Sequence, residues 1–344
     1  MAGDVLEPLR VGLIGCGGIA GNHLAGYRLV DEAELVACCD VVPEQAGKFA
    51  AKAGIEDAST DYEDLIARDD IDMVDICAID EVHAPIAIAA LQAGKHALIE
   101  KPFAMSAEEG RAVIAAASDS GRKAMCAQSL RWQPKWRAIK RLIDEGRIGT
   151  PVYARYAGPS TPFWTPDQID AYRDRPAEWL LIHNGMHGFD LMTWLLGSLP
   201  VRVHARSHPG QEWLPVHEYV SCVTRFASGA IAHTEENRIM QPPRYPLGNE
   251  IYIVGTTGTI DRTDRLTHSG DIFNEDGYHL LAPGSTYKLT DREMPFACEI
   301  REFARAVLDD TEVPIPLEPS LGVLKAVLAG AASMRIGEAV QIDA

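Results

Sequence analysis

The chain has 344 residues, 47% hydrophobic and 24% charged, with a formal net charge of −17. That length exceeds the size at which one core stops growing, so two domains are expected. The acidic balance weighs most heavily before residue 128 and no Lys/Arg stripe interrupts it. Nucleic acid and anionic lipid are therefore poor partners, and no apolar run is long enough to span a membrane.

Arg10-Val-Gly-Leu-Ile-Gly15-Cys-Gly17-Gly-Ile-Ala20 reads as a buried strand entering a glycine turn that opens a helix. In a dinucleotide site, Gly15 permits the tight turn, Gly17 lets backbone approach a pyrophosphate and Ala20 keeps helix close to strand. The helix N-terminus supplies free N–H groups to phosphate. A second strand, Glu34-Leu-Val-Ala-Cys-Cys-Asp40, ends in a carboxylate suited to two ribose hydroxyls. No arginine follows to receive a 2′-phosphate, so NAD is expected over NADP.

Up to Gln128, candidate strands at 9–15, 34–40, 73–78, 96–100 and 123–128 alternate with helices near 18–30, 43–53, 82–93 and 107–119. Such alternation specifies a doubly wound parallel sheet, with ligand at the C-terminal strand ends. The expected domains are therefore 1–128, an NAD-binding α/β domain, and 129–344. The second holds a helix at 132–145, a strand near 152–157, a loop over 158–178 and a helix at 183–196. Alternating segments at 201–207, 217–227, 229–238 and 249–255 predict a large, open, mostly antiparallel sheet. Helices near 296–308 and 319–336 close the chain, and a return to the first domain is open to them. The seven cysteines read as reduced core residues. With the non-basic start Met1-Ala-Gly-Asp-Val-Leu-Glu, they suggest a cytoplasmic protein.

The strand His96-Ala-Leu-Ile-Glu100 runs into Lys101-Pro102. At the C-terminal edge of a parallel sheet, Lys101 would polarise a carbonyl or hold a substrate hydroxyl. An exposed loop lysine is the plain alternative, and only position argues against it. His183, His187 and Asp190 fall at i, i+4 and i+7, one face of a continuous helix. That pattern fits a zinc site, an acid–base pair or a solvated structural face, and spacing does not separate the three.

The chain resembles the glucose–fructose oxidoreductase/inositol dehydrogenase family (Gfo/Idh/MocA). The likeness rests on Gly15-Cys-Gly-Gly-Ile-Ala20, Asp40, His83-Ala, Leu91-Gln-Ala-Gly94 through Glu100-Lys101-Pro102, Arg131-Trp-Gln-Pro134, Gly185-Met-His187-Gly-Phe-Asp190 and Ile253-Val-Gly255-Thr-Thr-Gly258. It implies a Rossmann domain and a second α/β domain whose sheet joins subunits as a homodimer or homotetramer. It also implies metal-free hydride transfer at a hydroxyl of a sugar, sugar acid or cyclitol. On this resemblance the cofactor residues are Gly15, Gly17, Gly18, Ile19, Ala20, Asp40, His83, Glu100 and Lys101. Lys101 and His187 handle the proton. His183 stands where the family pattern has aspartate, as a substrate-binding residue or a share of the catalytic base. Arg131, Trp164 and Arg173 are pocket candidates. Ala177-Glu178-Trp179 and Ile79-Asp80 also depart from the pattern, so substrate identity does not transfer. Two other readings remain: an NAD-retaining glycosidase working by transient oxidation, and a non-catalytic NAD-binding sensor.

Overall fold

The computed structural model describes residues 7–159, 173–210, 215–239, 250–263 and 294–343. They fall into two compact units: Met1–Gln133 with Leu289–Leu321, and Pro134–Lys288 with Gly322–Ala344. The break thus lies at Gln133 rather than 128. The segment 289–321 groups with the first unit, the return open to the late helices, whereas 322–344 stays with the second.

The first unit is built on six strands: β1 (Leu9–Ile14), β2 (Ala33–Cys39), β3 (Asp57–Ser59), β4 (Met73–Ile76), β5 (His96–Ile99) and β6 (Ala124–Cys126). All neighbours are parallel, in the order β3-β2-β1-β4-β5-β6. The strands are apolar almost throughout because helices cover both faces. Those helices are α1 (Gly18–Tyr27), α2 (Pro43–Ala53), α3 (Tyr62–Ile66), α4 (His83–Gln92) and α5 (Ala107–Ser120). α2 begins with proline in its first turn and ends at left-handed Gly54, whose N–H reaches Ala50 O at 2.8 Å. Ser106 caps α5 by accepting from Glu109 N, and Glu109 in return accepts from Met105 N. This reciprocal cap fixes the chain just after the Lys101-Pro102 turn, whose peptide bond is cis.

The order 3-2-1-4-5-6 places the topological switch between β1 and β4, so the crevice lies beyond the ends of these strands. Registers align Ile14 with Ile76 and Ile76 with Ile99. Gly15, Cys77 and Glu100 consequently leave the sheet side by side.

The second unit starts with α6 (Pro134–Asp144) and carries a sheet of β7 (Pro151–Pro159), β8 (Pro200–His208), β9 (Tyr219–Phe226), β10 (Ile231–Asn237), β11 (Glu250–Gly255), β12 (Thr259–Thr263) and β13 (Val340–Gln341). Their order is β12-β11-β7-β10-β9-β8-β13, antiparallel except for the β7–β10 pair. Two helices, α7 (Trp179–His183) and α8 (Gly185–Leu196), precede β8; α9 (Pro295–Leu308) and α10 (Leu317–Ile336) come late in the chain. α8 packs on β7 and β10, where Gly188 leaves room for Tyr156 and Glu236; a Cβ there would lie 3.2 Å from both. The opposite sheet face is open and carries Val223, Ile231 and Tyr252.

All seven cysteines are buried free thiols. Among the described residues, no helix is long and apolar enough to cross a membrane.

Candidate active site

Gly15 sits at φ +93°, and a Cβ on it would lie 2.5 Å from the backbone N and Cα of Ala78. Only glycine fits, because backbone atoms of the adjoining strand cannot give way. Gly17 and Gly18 are the reverse case: nothing lies within 4 Å of where their Cβ atoms would be. Gly17 caps α1 with no side-chain hydrogen bond, so the first N–H groups of the helix face that open space. Asp40 closes the turn from the side. One of its oxygens accepts from Cys16 N at 2.8 Å and the other from Val42 N at 2.9 Å. The turn therefore fits a dinucleotide, with room and free donors for phosphate and a fixed carboxylate for the ribose.

These two glycine roles predict different failures. Gly15→Ala is expected to destabilise the first unit by about 2 kcal/mol through the forbidden φ alone, and to lose NAD. Gly17→Ala should lose NAD while keeping its stability. Urea unfolding and NAD calorimetry on both variants check this.

Glu100 and Lys101 leave β5 on the same edge. Glu100 is buried and folds back on its own chain, its Oε2 accepting from Lys101 N at 2.9 Å. β5 lies two strand spacings from β1, about 10 Å. His83, at the start of α4, is buried, with Nδ1 2.8 Å from Pro102 O and Nε2 3.0 Å from Ala78 O. The ring thus ties the Lys101-Pro102 turn to the end of β4, a bracing position that the sequence did not reveal.

In the second unit, His183 ends α7 and its ring stacks on Trp179, centroids 4.5 Å apart. The helix breaks at Asn184, and His187 lies in the first turn of α8. The expected single helix over 183–196 is therefore two. Two contacts mark the break: Asn184 O accepts from His187 N at 3.0 Å, and the Asn184 side chain accepts from the distant Arg238. His183 and His187 are both half-buried, and Asp190 is buried. Arg131 lies in a 3₁₀ turn after β6, half-buried, and Arg173 is exposed. Trp164 lies outside the described residues.

Sequence reasoning also missed two features of the first unit. Val41, Val42 and Ile79 are exposed apolar residues, at 83%, 48% and 62%, just past the ends of β2 and β4. Beneath the sheet edge, His23, Asp75, Tyr27 and Cys77 form a buried polar cluster with Glu100. Its signal was an aspartate inside the buried strand Met73-Val-Asp75-Ile76, which needs a partner. His23, Asp75 and Cys77 offer ligand atoms within 4.8 Å of one another, and all three side chains are engaged in these hydrogen bonds.

The model of an oxidoreductase family with an NAD-binding Rossmann fold (Gfo/Idh/MocA) matches residues 9–128, and that family's C-terminal domain matches 136–261. The chain belongs to this family. Its first unit is accordingly an NAD-binding Rossmann domain, and the family is one of oxidoreductases. It is 33% identical over 187 residues to D-apiose dehydrogenase of Paraburkholderia graminis, a match covering 54% of this chain and 49% of that protein. The chain thus spans about half the length of that relative. It is 28% identical to inositol 2-dehydrogenase of Rhizobium meliloti, over 97% of this chain and 99% of the other. Among solved structures, an oxidoreductase from Agrobacterium radiobacter, crystallised with NAD+, L-tartaric acid and magnesium, has a TM-score of 0.85 at 22% identity, covering 98% and 99%.

Proposed function

We propose that the protein is an NAD-dependent dehydrogenase of a sugar, sugar acid or cyclitol. The observation that carries this reading is that Lys101 leaves the same sheet edge as the glycine turn and Asp40. Bound NAD supplies the hydride acceptor. Asp40 binds the adenosine ribose, and Val41, Val42 and Ile79 offer apolar surface for the adenine. Lys101 hydrogen-bonds the substrate oxygen and stabilises the charge that develops on it. His187 takes the hydroxyl proton. His183, held by its stack on Trp179, binds substrate, with Arg131 and Arg173 as further polar contacts. Relatives that act on apiose and inositol support this substrate class.

NAD reduction screened across sugars, sugar acids and inositols tests the proposal. Net NADH formation supports a dehydrogenase. Glycoside cleavage without net NADH would favour the NAD-retaining glycosidase, and NAD binding with no hydride exchange would favour a sensor. Asp40→Ala is expected to raise the NAD dissociation constant about tenfold, the loss of a charged hydrogen-bond acceptor, and to narrow the preference for NAD over NADP. Calorimetry with both nucleotides reads this.

The open face of the second sheet presents Val223, Ile231 and Tyr252 at 50%, 44% and 40% exposure, consistent with a self-association surface. Sedimentation of the full chain tests for a dimer or tetramer.

A further inference from the structure

Between α1 and Lys101 runs a line of buried groups that the proposed chemistry does not use. His23 lies on the buried side of α1, five residues into the helix that opens at the glycine turn. Its Nδ1 is 2.8 Å from Asp75 Oδ2, and its Nε2 is 3.2 Å from Glu100 Oε1. Asp75 is in turn held by Tyr27 Oη at 3.0 Å and by the Cys77 thiol at 3.6 Å. Glu100 uses its other oxygen to grip Lys101 N. The ring of Phe296 covers the imidazole, 5.2 Å between centroids.

A neutral imidazole carries one N–H, so its second nitrogen would present a lone pair to a carboxylate. With a carboxylate on each side, only the imidazolium donates to both. Among the described residues, the ionisable side chains around the ring are Tyr27 from α1, Asp75 and Cys77 from β4 and its end, Glu100 from β5, and Glu299 from α9. Glu100 thus meets the ring with one oxygen and accepts from the backbone amide of the next residue with the other.

We propose that His23 is a positioning residue. Clamped between Asp75 and Glu100, its ring sets the carboxylate that holds the Lys101 backbone in place. The segment that presents Lys101 is thereby fastened to α1, the helix whose N-terminus receives the cofactor phosphates. The functional consequence rests on the proton-handling reading of Lys101; the positioning itself does not.

The test follows amide exchange, residue by residue, in the full-length protein. In His23→Gln the Lys101 amide should exchange about tenfold faster, as expected for one lost hydrogen bond to a charged group. The neighbouring Glu100 amide, bonded to Ile76 O at 3.0 Å, should keep its native rate. NAD affinity by calorimetry should move far less, because the glycine turn is untouched. Asp75→Asn supplies a second, milder variant with the shape preserved. Its His23 ring should titrate near neutrality by imidazole NMR. Protection of the Lys101 amide should be lost as pH rises through that same midpoint, which in the native protein lies at higher pH. A role confined to packing would produce no such shared midpoint. Native-like protection of Lys101 in both variants, at every pH, would overturn the proposal. None of these measurements needs turnover, so failure of the dehydrogenase reading in the NADH screen leaves them standing.

Discussion

Lys101→Ala is expected to slow hydride transfer by about 10²- to 10⁴-fold, the usual range for removing a positioned proton-handling group. NAD affinity should change far less. The side chain is half-buried at the end of β5, so its removal opens no core cavity. What holds the segment is backbone: the Lys101 amide on Glu100, and Pro102 O facing His83. Alanine preserves both contacts and removes the side chain with its ammonium. Lys101→Arg should recover part of the rate, because it keeps the charge but spreads it over a planar group that cannot approach one oxygen as a compact donor. Single-turnover nicotinamide absorbance, with the substrate found by the screen, separates this from binding. An undiminished rate in the alanine variant would remove Lys101 from the chemistry.

Much of the first unit was legible because its determinants are local. Strand-to-helix alternation and the glycine spacing predicted β1, β2, β4, β5 and β6 and the cofactor turn. β3 escaped because Asp57-Ala-Ser59 is three residues at a sheet edge, too short to show a period. The helix of His183 and His187 was read as continuous because spacing alone does not report a break at Asn184, where tertiary contact with Arg238 intervenes. His83 was read as a cofactor contact through resemblance, and the structure gives its ring two carbonyl neighbours. The buried cluster was illegible for a different reason. His23 meets partners 52 and 77 residues away, and no local pattern links them. The one visible sign was the carboxylate of Asp75 in an apolar strand. A buried charge of that kind demands a partner without saying which residue supplies it.

Glu299 carries a large pH effect on the fold. It comes from α9, is fully buried, and accepts from the Trp132 indole at 3.2 Å. Burial, and then the nearby Glu100, push its carboxyl up to about 8, against the opposing pull of His23. The folded state therefore keeps a proton that the unfolded chain releases near its ordinary value of 4.5. The stability tied to that proton is complete below about 4.5 and is lost progressively as pH rises to about 8. At 1.36 kcal/mol per pH unit, the loss is on the order of 5 kcal/mol. His23 works in the same direction. Burial disfavours its charge, but Asp75 and Cys77 outweigh burial and hold the ring protonated well above the usual imidazole range. Its contribution likewise disappears as pH rises through that raised value. Glu299→Gln keeps the acceptor for Trp132 and removes the ionisation. The variant should match the native protein near pH 4 and exceed its stability above pH 8, by up to the same ~5 kcal/mol. Hydrogen exchange of β1 and β4 amides, measured in steps across that range, reads the first unit directly. If native and Gln proteins lose protection in parallel as pH rises, the carboxyl of Glu299 is not the group that titrates.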